Sequence, residues 1–206
     1  MRNSVNKDLM GALRDAASLD DLYTGLSPLD LTPGWIDRKV PLLWFEPHSA
    51  FLPVIWHYDE CRQALDTAGR LISTDLAERR NLVLVNPVKG NDFATTKTLV
   101  NAYQMILPGE KARSHRHAPH ALRVIIESEG AFSVVNGEKH PMETGDIVLT
   151  PGWSWHSHGH EGDLPAYWLD GLDVPLTHML EPMFFEEHPN EFEEIRRITP
   201  DSPYRF

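Results

Sequence analysis

The chain has 206 residues, 41% of them hydrophobic and 24% charged, with a formal net charge of −11. This is an ordinary globular balance. The negative charge argues against general binding to nucleic acid or to an anionic membrane, and admits an anionic ligand only where a local cationic pocket outweighs the overall field. A single cysteine, Cys61, excludes an intramolecular disulfide and suits a reducing cytoplasm.

The first residues, MRNSVNKDLM, lack the apolar core of a secretory signal. No apolar run approaches the roughly 20 residues that a membrane span requires. The expectation is a cytoplasmic, non-membrane protein. Val5, Leu9, Leu13, Ala16 and Ala17 recur at helical spacing and predict a helix over 5–23. SPLDLTPGW then breaks the pattern. Residues 40–56, VPLLWFEPHSAFLPVIW, are too rich in proline for a regular helix and read as an extended arm that packs on a larger body. A second helix is expected over 58–69, ending near Gly69.

Beyond it the period changes. LVLV at 82–85 reads as a short strand closed by Asn86-Pro87, and KTLVNAYQMIL at 97–107 is strand-rich. RVIIES, AFSVV, DIVLT and AYWLD follow at short intervals, with a hairpin signal at Asn136-Gly137 and further turns at Pro108-Gly109, Gly145-Asp146 and Pro151-Gly152. Many short strands so spaced suggest a sandwich or small barrel rather than a parallel α/β sheet. The acidic tail from about 181, EPMFFEEHPNEFEEIRR, is expected to be partly helical. The expected organisation is an N-terminal helical and extended arm (1–95), a β-barrel (96–180) and a tail (181–206).

Seven of the eleven histidines, His115, His117, His120, His140, His156, His158 and His160, fall between 115 and 160. His115 and His117 are two apart, so on a strand both imidazoles share a face while Arg116 faces the other way. His156, just after the Pro151-Gly152 turn, can reach the same point from a neighbouring strand. Three neutral imidazoles can hold one dication and leave coordination positions open. His120, His140 and His160 read as ordinary structural histidines. His158 alternates with His156 and could support the metal ligands from behind. Arg123 follows His117 by six residues, so a continuous strand would put it on the same face, where its planar fork suits a carboxylate. Gln104 shares a strand face with Val100, Ala102 and Ile106, where an amide needs a partner. Arg79 and Arg80 read equally as ligand contacts or as a solvated pair. Asp170 could hold a histidine through its second nitrogen, pair with His158, or be a turn aspartate. Trp153, Trp155 and Trp168 read as barrel wall.

PGEKARSHRH (108–117) resembles the first cupin motif, a glycine, five residues, then H-x-H, and GDIVLTPGWSWH (145–156) resembles the second, which supplies the last histidine. More narrowly, the sequence resembles the gentisate 1,2-dioxygenase family, with relatives that cleave salicylate or 1-hydroxy-2-naphthoate. AERRNLVLVNP (77–87), QMILPGE (104–110), SHRH with ALR after it, WHSHG, and WLDGLD (168–173) carry this likeness over most of 40–190. Ala121 and Leu122 stand where many cupins have a fourth, glutamate ligand, and the dioxygenase group also lacks it. Family members are usually bicupins, and no second cupin follows here.

The resemblance implies a mainly β fold, a cupin double-stranded β-helix (jelly-roll) barrel with an N-terminal α/extended arm. It implies Fe(II) on His115, His117 and His156, and substrate contacts at Arg79, Gln104 and Arg123. His158 and Asp170 join Arg123 and Gln104 as expected catalytic groups. The implied partners are a small aromatic acid and O2, with no nucleic acid and no membrane, in a homo-oligomer. The implied reaction opens an ortho-hydroxy aromatic acid between its carboxylated and hydroxylated carbons, gentisate giving maleylpyruvate. The alternatives are a truncated, non-catalytic metal-binding cupin and, less favoured by the arginines, a cupin sensor or isomerase.

Overall fold

Short strands organise most of residues 100–172. The structure is a computed structural model and describes residues 7–199. Helices are α1 (Lys7–Arg14), α2 (Leu19–Leu26), α3 (Tyr58–Leu71), α4 (Thr74–Ala77) and α5 (Val174–Leu180). The strands are β1 (Arg80–Val83), β2 (Val100–Ile106), β3 (Lys111–His117), β4 (Ala121–Glu127), β5 (Ala131–Val135) and β6 (Glu138–Met142). They continue with β7 (Ile147–Thr150), β8 (His156–His160), β9 (Ala166–Leu172), β10 (Phe185–Glu187) and β11 (Arg197–Ile198). The chain divides into two compact units between His48 and Ser49.

In the first unit the expected helix over 5–23 is two helices; residues 5 and 6 lie outside the described residues. Ser18 ends the run: its hydroxyl accepts the Asp21 N–H at 3.1 Å, while the Asp21 carboxylate accepts the Ala17 N–H at 3.2 Å. This reciprocal cap starts α2 afresh and overrides the continuing apolar period. Residues 40–56 contain neither helix nor strand.

The second unit holds two sheets. One runs β1-β2-β9-β4-β7 and the other β10-β3-β8-β5-β6-β11. All pairings are antiparallel except β11 with β6. The inner faces meet in a core of Ile106, Ile125, Ala166 and Trp168 from the first sheet with Ala131 and Met142 from the second. This is the mainly β cupin barrel expected. Outside the five-stranded sheet, Leu65 of α3 packs with Met105 and Tyr167, and a side chain on Gly69 would meet the Met105 methyl at 2.8 Å, so glycine permits the close approach. Asn86 mimics a strand partner for residue 52, accepting the Leu52 N–H and donating to its carbonyl at 2.8 Å. The division of the chain thus falls well before residue 95, because α3, β1 and the 49–56 segment all belong with the barrel.

The tail departs from expectation. Its described part, 181–199, contains no helix, and 200–206 lie outside the described residues. Instead β10 pairs with β3, and β11 with β6. The edge of β3 carries unpaired backbone groups, and the tail satisfies them: Ser114 N–H donates to Glu191 O, and His188 N–H to Ser114 O. No helix among the described residues is long and apolar enough to cross a membrane.

Candidate metal centre

His115 and His117 come from β3, and His156 sits directly opposite His115 on β8. Ring centroids lie 4.4 Å apart for His115–His156, 4.8 Å for His117–His156 and 5.7 Å for His115–His117. One ligand atom from each lies within 4.8 Å of the others.

Two features bring them together. First, the β3–β8 register shifts between Ala112 and His115. Ala112 pairs with His158 on the inner face, so strict alternation would turn His115 and His117 outward; the bulge returns them inward. Second, a Cβ on Gly152 would lie 2.3 Å from the Ala118 carbonyl, so only glycine lets the turn before β8 press against the end of β3. The Trp153 N–H then donates to His117 O at 2.7 Å.

The hydrogen bonds also select the tautomer. His117 Nδ1–H donates to Pro119 O at 2.8 Å and His156 Nδ1–H to Ser154 O at 3.0 Å. His115 Nδ1 has Arg113 O at 3.3 Å and a Glu78 carboxylate oxygen at 3.1 Å. These partners can only accept, which leaves each Nε2 with a bare lone pair. His156 Nε2 is buried and has no partner among the described residues. Burial, then the Arg123 charge, holds His156 far below the ordinary histidine range, and burial pushes His117 down to about 4. Three imidazoles whose Nε2 lone pairs converge fit a dication.

The opposite wall is polar in another way. Arg123 is buried on β4, its Nη1 donating to Thr150 Oγ1 at 2.6 Å and its Nε 3.2 Å from Asp170 of β9. Gln104 of β2 donates through Nε2 to the other Asp170 oxygen at 2.6 Å. Its Oε1 is left without a partner among the described residues. Burial drives the Arg123 guanidinium down and the Asp170 carboxyl up, each toward neutrality, and their mutual attraction opposes both shifts. Asp170 therefore holds Arg123 and Gln104, and the expected Asp170–histidine contact is absent. His158 instead has Ser133 Oγ at 2.8 Å from its Nδ1, and this hydroxyl donates onward to Met142 Sδ. The Nδ1–H of His158 is then the donor, and its buried Nε2 has no partner among the described residues.

Arg123 also does not reach the site along a continuous strand with His117. The chain turns at 118–120 and Arg123 arrives from the facing sheet, where its charge bears on His117, His156 and His158. Arg79 lies close enough to act on His117, His158 and Asp170; its Nε and Nη1 are buried with no hydrogen-bond partner among the described residues. Arg80 points elsewhere and is no solvated residue: it is buried in an ion pair with Glu110 and donates to Ile72 O. His120 and His160 make structural bonds, to Gly152 N and Leu164 O. Trp168 is core, whereas Trp153 and Trp155 sandwich Arg116 on the outer side, each ring centre 4.4 Å from its guanidinium.

Sequence reasoning missed three residues at this site. Glu78, whose carboxylate touches His115, lies 37 residues upstream, inside the AERRNLVLVNP stretch, where only its arginines drew notice. Thr150 fixes Arg123 across β4 and β7. Phe185 of β10 stacks on His115 at 5.4 Å and 30° yet stays 60% exposed, an aromatic flank beside the triad. Only the pairing of β10 with β3 could have disclosed it.

Known proteins resemble this chain in sequence and fold. Residues 102–173 match the cupin domain model. Gentisate 1,2-dioxygenase 1 of Aquipseudomonas alcaligenes is 38% identical over 187 residues, covering 90% of this chain and 53% of the relative. A gentisate 1,2-dioxygenase of Ralstonia sp. is 41% identical over 176 residues, covering 85% and 49%. The salicylate 1,2-dioxygenase of Pseudoaminobacter salicylatoxidans, in a crystal structure of adducts with gentisate, superposes with a TM-score of 0.75 at 32% identity, covering 89% of this chain and 50% of that one. The chain spans about half the length of these relatives. Over 85–90% of its own length the chain is similar to these gentisate 1,2-dioxygenases, and its barrel is a cupin.

Proposed function

We propose that the chain is an Fe(II)-dependent ring-cleaving dioxygenase for gentisate or a related ortho-hydroxy aromatic acid. The observation that carries this reading is the pairing of a three-histidine set, its Nε2 lone pairs converging, with a buried arginine on the facing sheet whose charge bears on those rings. His115, His117 and His156 would hold the metal, and all three being neutral, it keeps its full charge. Bound iron supplies the one-electron chemistry that lets O2 react with a closed-shell aromatic ring.

The chain's own residues bind and orient. Arg123 and Arg79 offer guanidinium donors to the substrate carboxylate, and Asp170 keeps Arg123 aimed. Gln104, its amide nitrogen engaged by Asp170, presents its Oε1 as an acceptor for a ring hydroxyl. His158 Nε2 is a second acceptor, its proton held on the Ser133 side. Phe185 flanks the ring. These local cations draw an anion into an acidic protein because close charges in a partly buried site outweigh distant surface ones. Gentisate would yield maleylpyruvate, the bond between the carboxylated carbon and its hydroxylated neighbour breaking and both oxygen atoms of O2 entering the product, so no external reductant is consumed. A cytoplasmic homo-oligomer is the setting this reading carries with it.

The decisive assay is an oxygen electrode on anaerobically Fe(II)-loaded protein with gentisate, salicylate and 1-hydroxy-2-naphthoate. The expected result is equimolar loss of O2 and aromatic acid with at least one of them. The other outcome of this assay is a cupin that binds metal without turning over. Retained metal with no oxygen uptake would select it.

A further inference from the structure

We propose that Glu78 is a positioning residue for the metal centre, the carboxylate that accepts the Nδ1–H of His115 and makes this imidazole the strongest donor of the three. The inference rests on the metal-site reading above. His117 and His156 lean on backbone carbonyls, at 2.8 and 3.0 Å. His115 alone has a carboxylate oxygen, at 3.1 Å, with its carbonyl contact longer at 3.3 Å. A carboxylate behind a metal-bound imidazole fixes the ring, draws the Nδ1 proton toward itself and raises the electron density at Nε2.

The backbone points the same way. Glu78 closes α4 with φ 57° and ψ −59°, a conformation L-residues seldom adopt. The same turn places consecutive side chains to different ends: Glu78 against His115, and Arg79, 3.6 Å from the Glu78 carboxylate, close enough to influence Arg123, His158 and Asp170. The Glu78 side chain is 41% exposed, so shortening it opens no buried void.

The test is chelator competition with Co(II) on the wild type, Glu78→Gln, Glu78→Ala and His115→Ala, beside thermal melts of each metal-free protein. Glu78→Ala is expected to weaken Co(II) binding by about 10- to 100-fold. Glu78→Gln, whose amide oxygen still accepts Nδ1–H without the charge, should fall between. His115→Ala should be weakest, and the metal-free melts of both Glu78 variants should match the wild type. Wild-type affinity in Glu78→Ala would overturn the role of Glu78 and leave the metal site standing. Equal weakening in both Glu78 variants, with lowered metal-free melts, would reduce Glu78 to a folding role and also overturn it. A wild-type chain that binds no Co(II) would remove both the metal centre and Glu78's part in it.

Discussion

The two walls of the barrel face each other with opposite chemistry and different geometry. On the six-stranded sheet, three imidazoles converge only because a bulge breaks the β3–β8 register. On the five-stranded sheet, Gln104, Asp170 and Arg123 come from β2, β9 and β4 where those strands run in register, Ala102 and Arg123 both opposite Asp170, and the β4–β9 shift lies further along, between Ile125 and Glu127. One wall offers bare lone pairs to a cation, and the other offers N–H donors to an anion. The histidine wall thus depends on a shift between the very residues that form it and the arginine wall on in-register pairing around Asp170, so each wall should fail differently when altered.

His156→Ala removes the buried central imidazole and should weaken metal binding by on the order of 100-fold or more, beyond the usual cost of losing a supporting group. The check is metal content after gel filtration; retention of metal would sever the link between this wall and cation binding. Arg123→Met acts on the other wall. It leaves the Asp170 carboxylate buried without its partner and should destabilise the protein by about 3–5 kcal/mol. Denaturant melts measure this, and metal affinity should change far less than in His156→Ala. If the two variants lose metal equally, the walls are not separable.

Acid should weaken the histidine wall of the metal-free protein. Burial depresses His117 from 6.5 to about 4, with His156 shifted in the same direction. The unfolded chain therefore binds protons that the native state refuses, and stability falls as pH drops from about 6.5 toward 4. Melts across that window test it, and a flat profile would mean that these rings are solvated. The smallest effect belongs to the outer side of the same strand. Arg116→Ala loses the tryptophan sandwich and a partly exposed ion pair with Glu186, costing about 1 kcal/mol without changing metal affinity.

Much of this was legible in residue order, and the failures have a common cause. Period-2 spacing put His115 and His117 on one face, but whether that face is inner or outer depends on a register shift that local spacing does not encode. Six residues from His117 to Arg123 counted correctly as same-face only on an unbroken strand; Pro119 and the turn around it send Arg123 to the facing sheet. Asp170 was legible as a buried partner, but its partner was set by cross-strand pairing with Arg123. AFSVV and AYWLD were readable as strands because their alternation is local. The tail was not, since Phe185–Glu187 become a strand only by meeting the free edge of β3.

That tail has a consequence for handling the molecule. One segment seals both ends of the six-stranded sheet, β10 at the rim beside the ligand histidines and β11 at the far rim. Trimming it would bare two adhesive hydrogen-bonding ladders at once and invite neighbouring molecules to dock strand against strand. The same cut would let the rim carrying His115 and His117 fray, so a shortened chain should shed its ion and precipitate together.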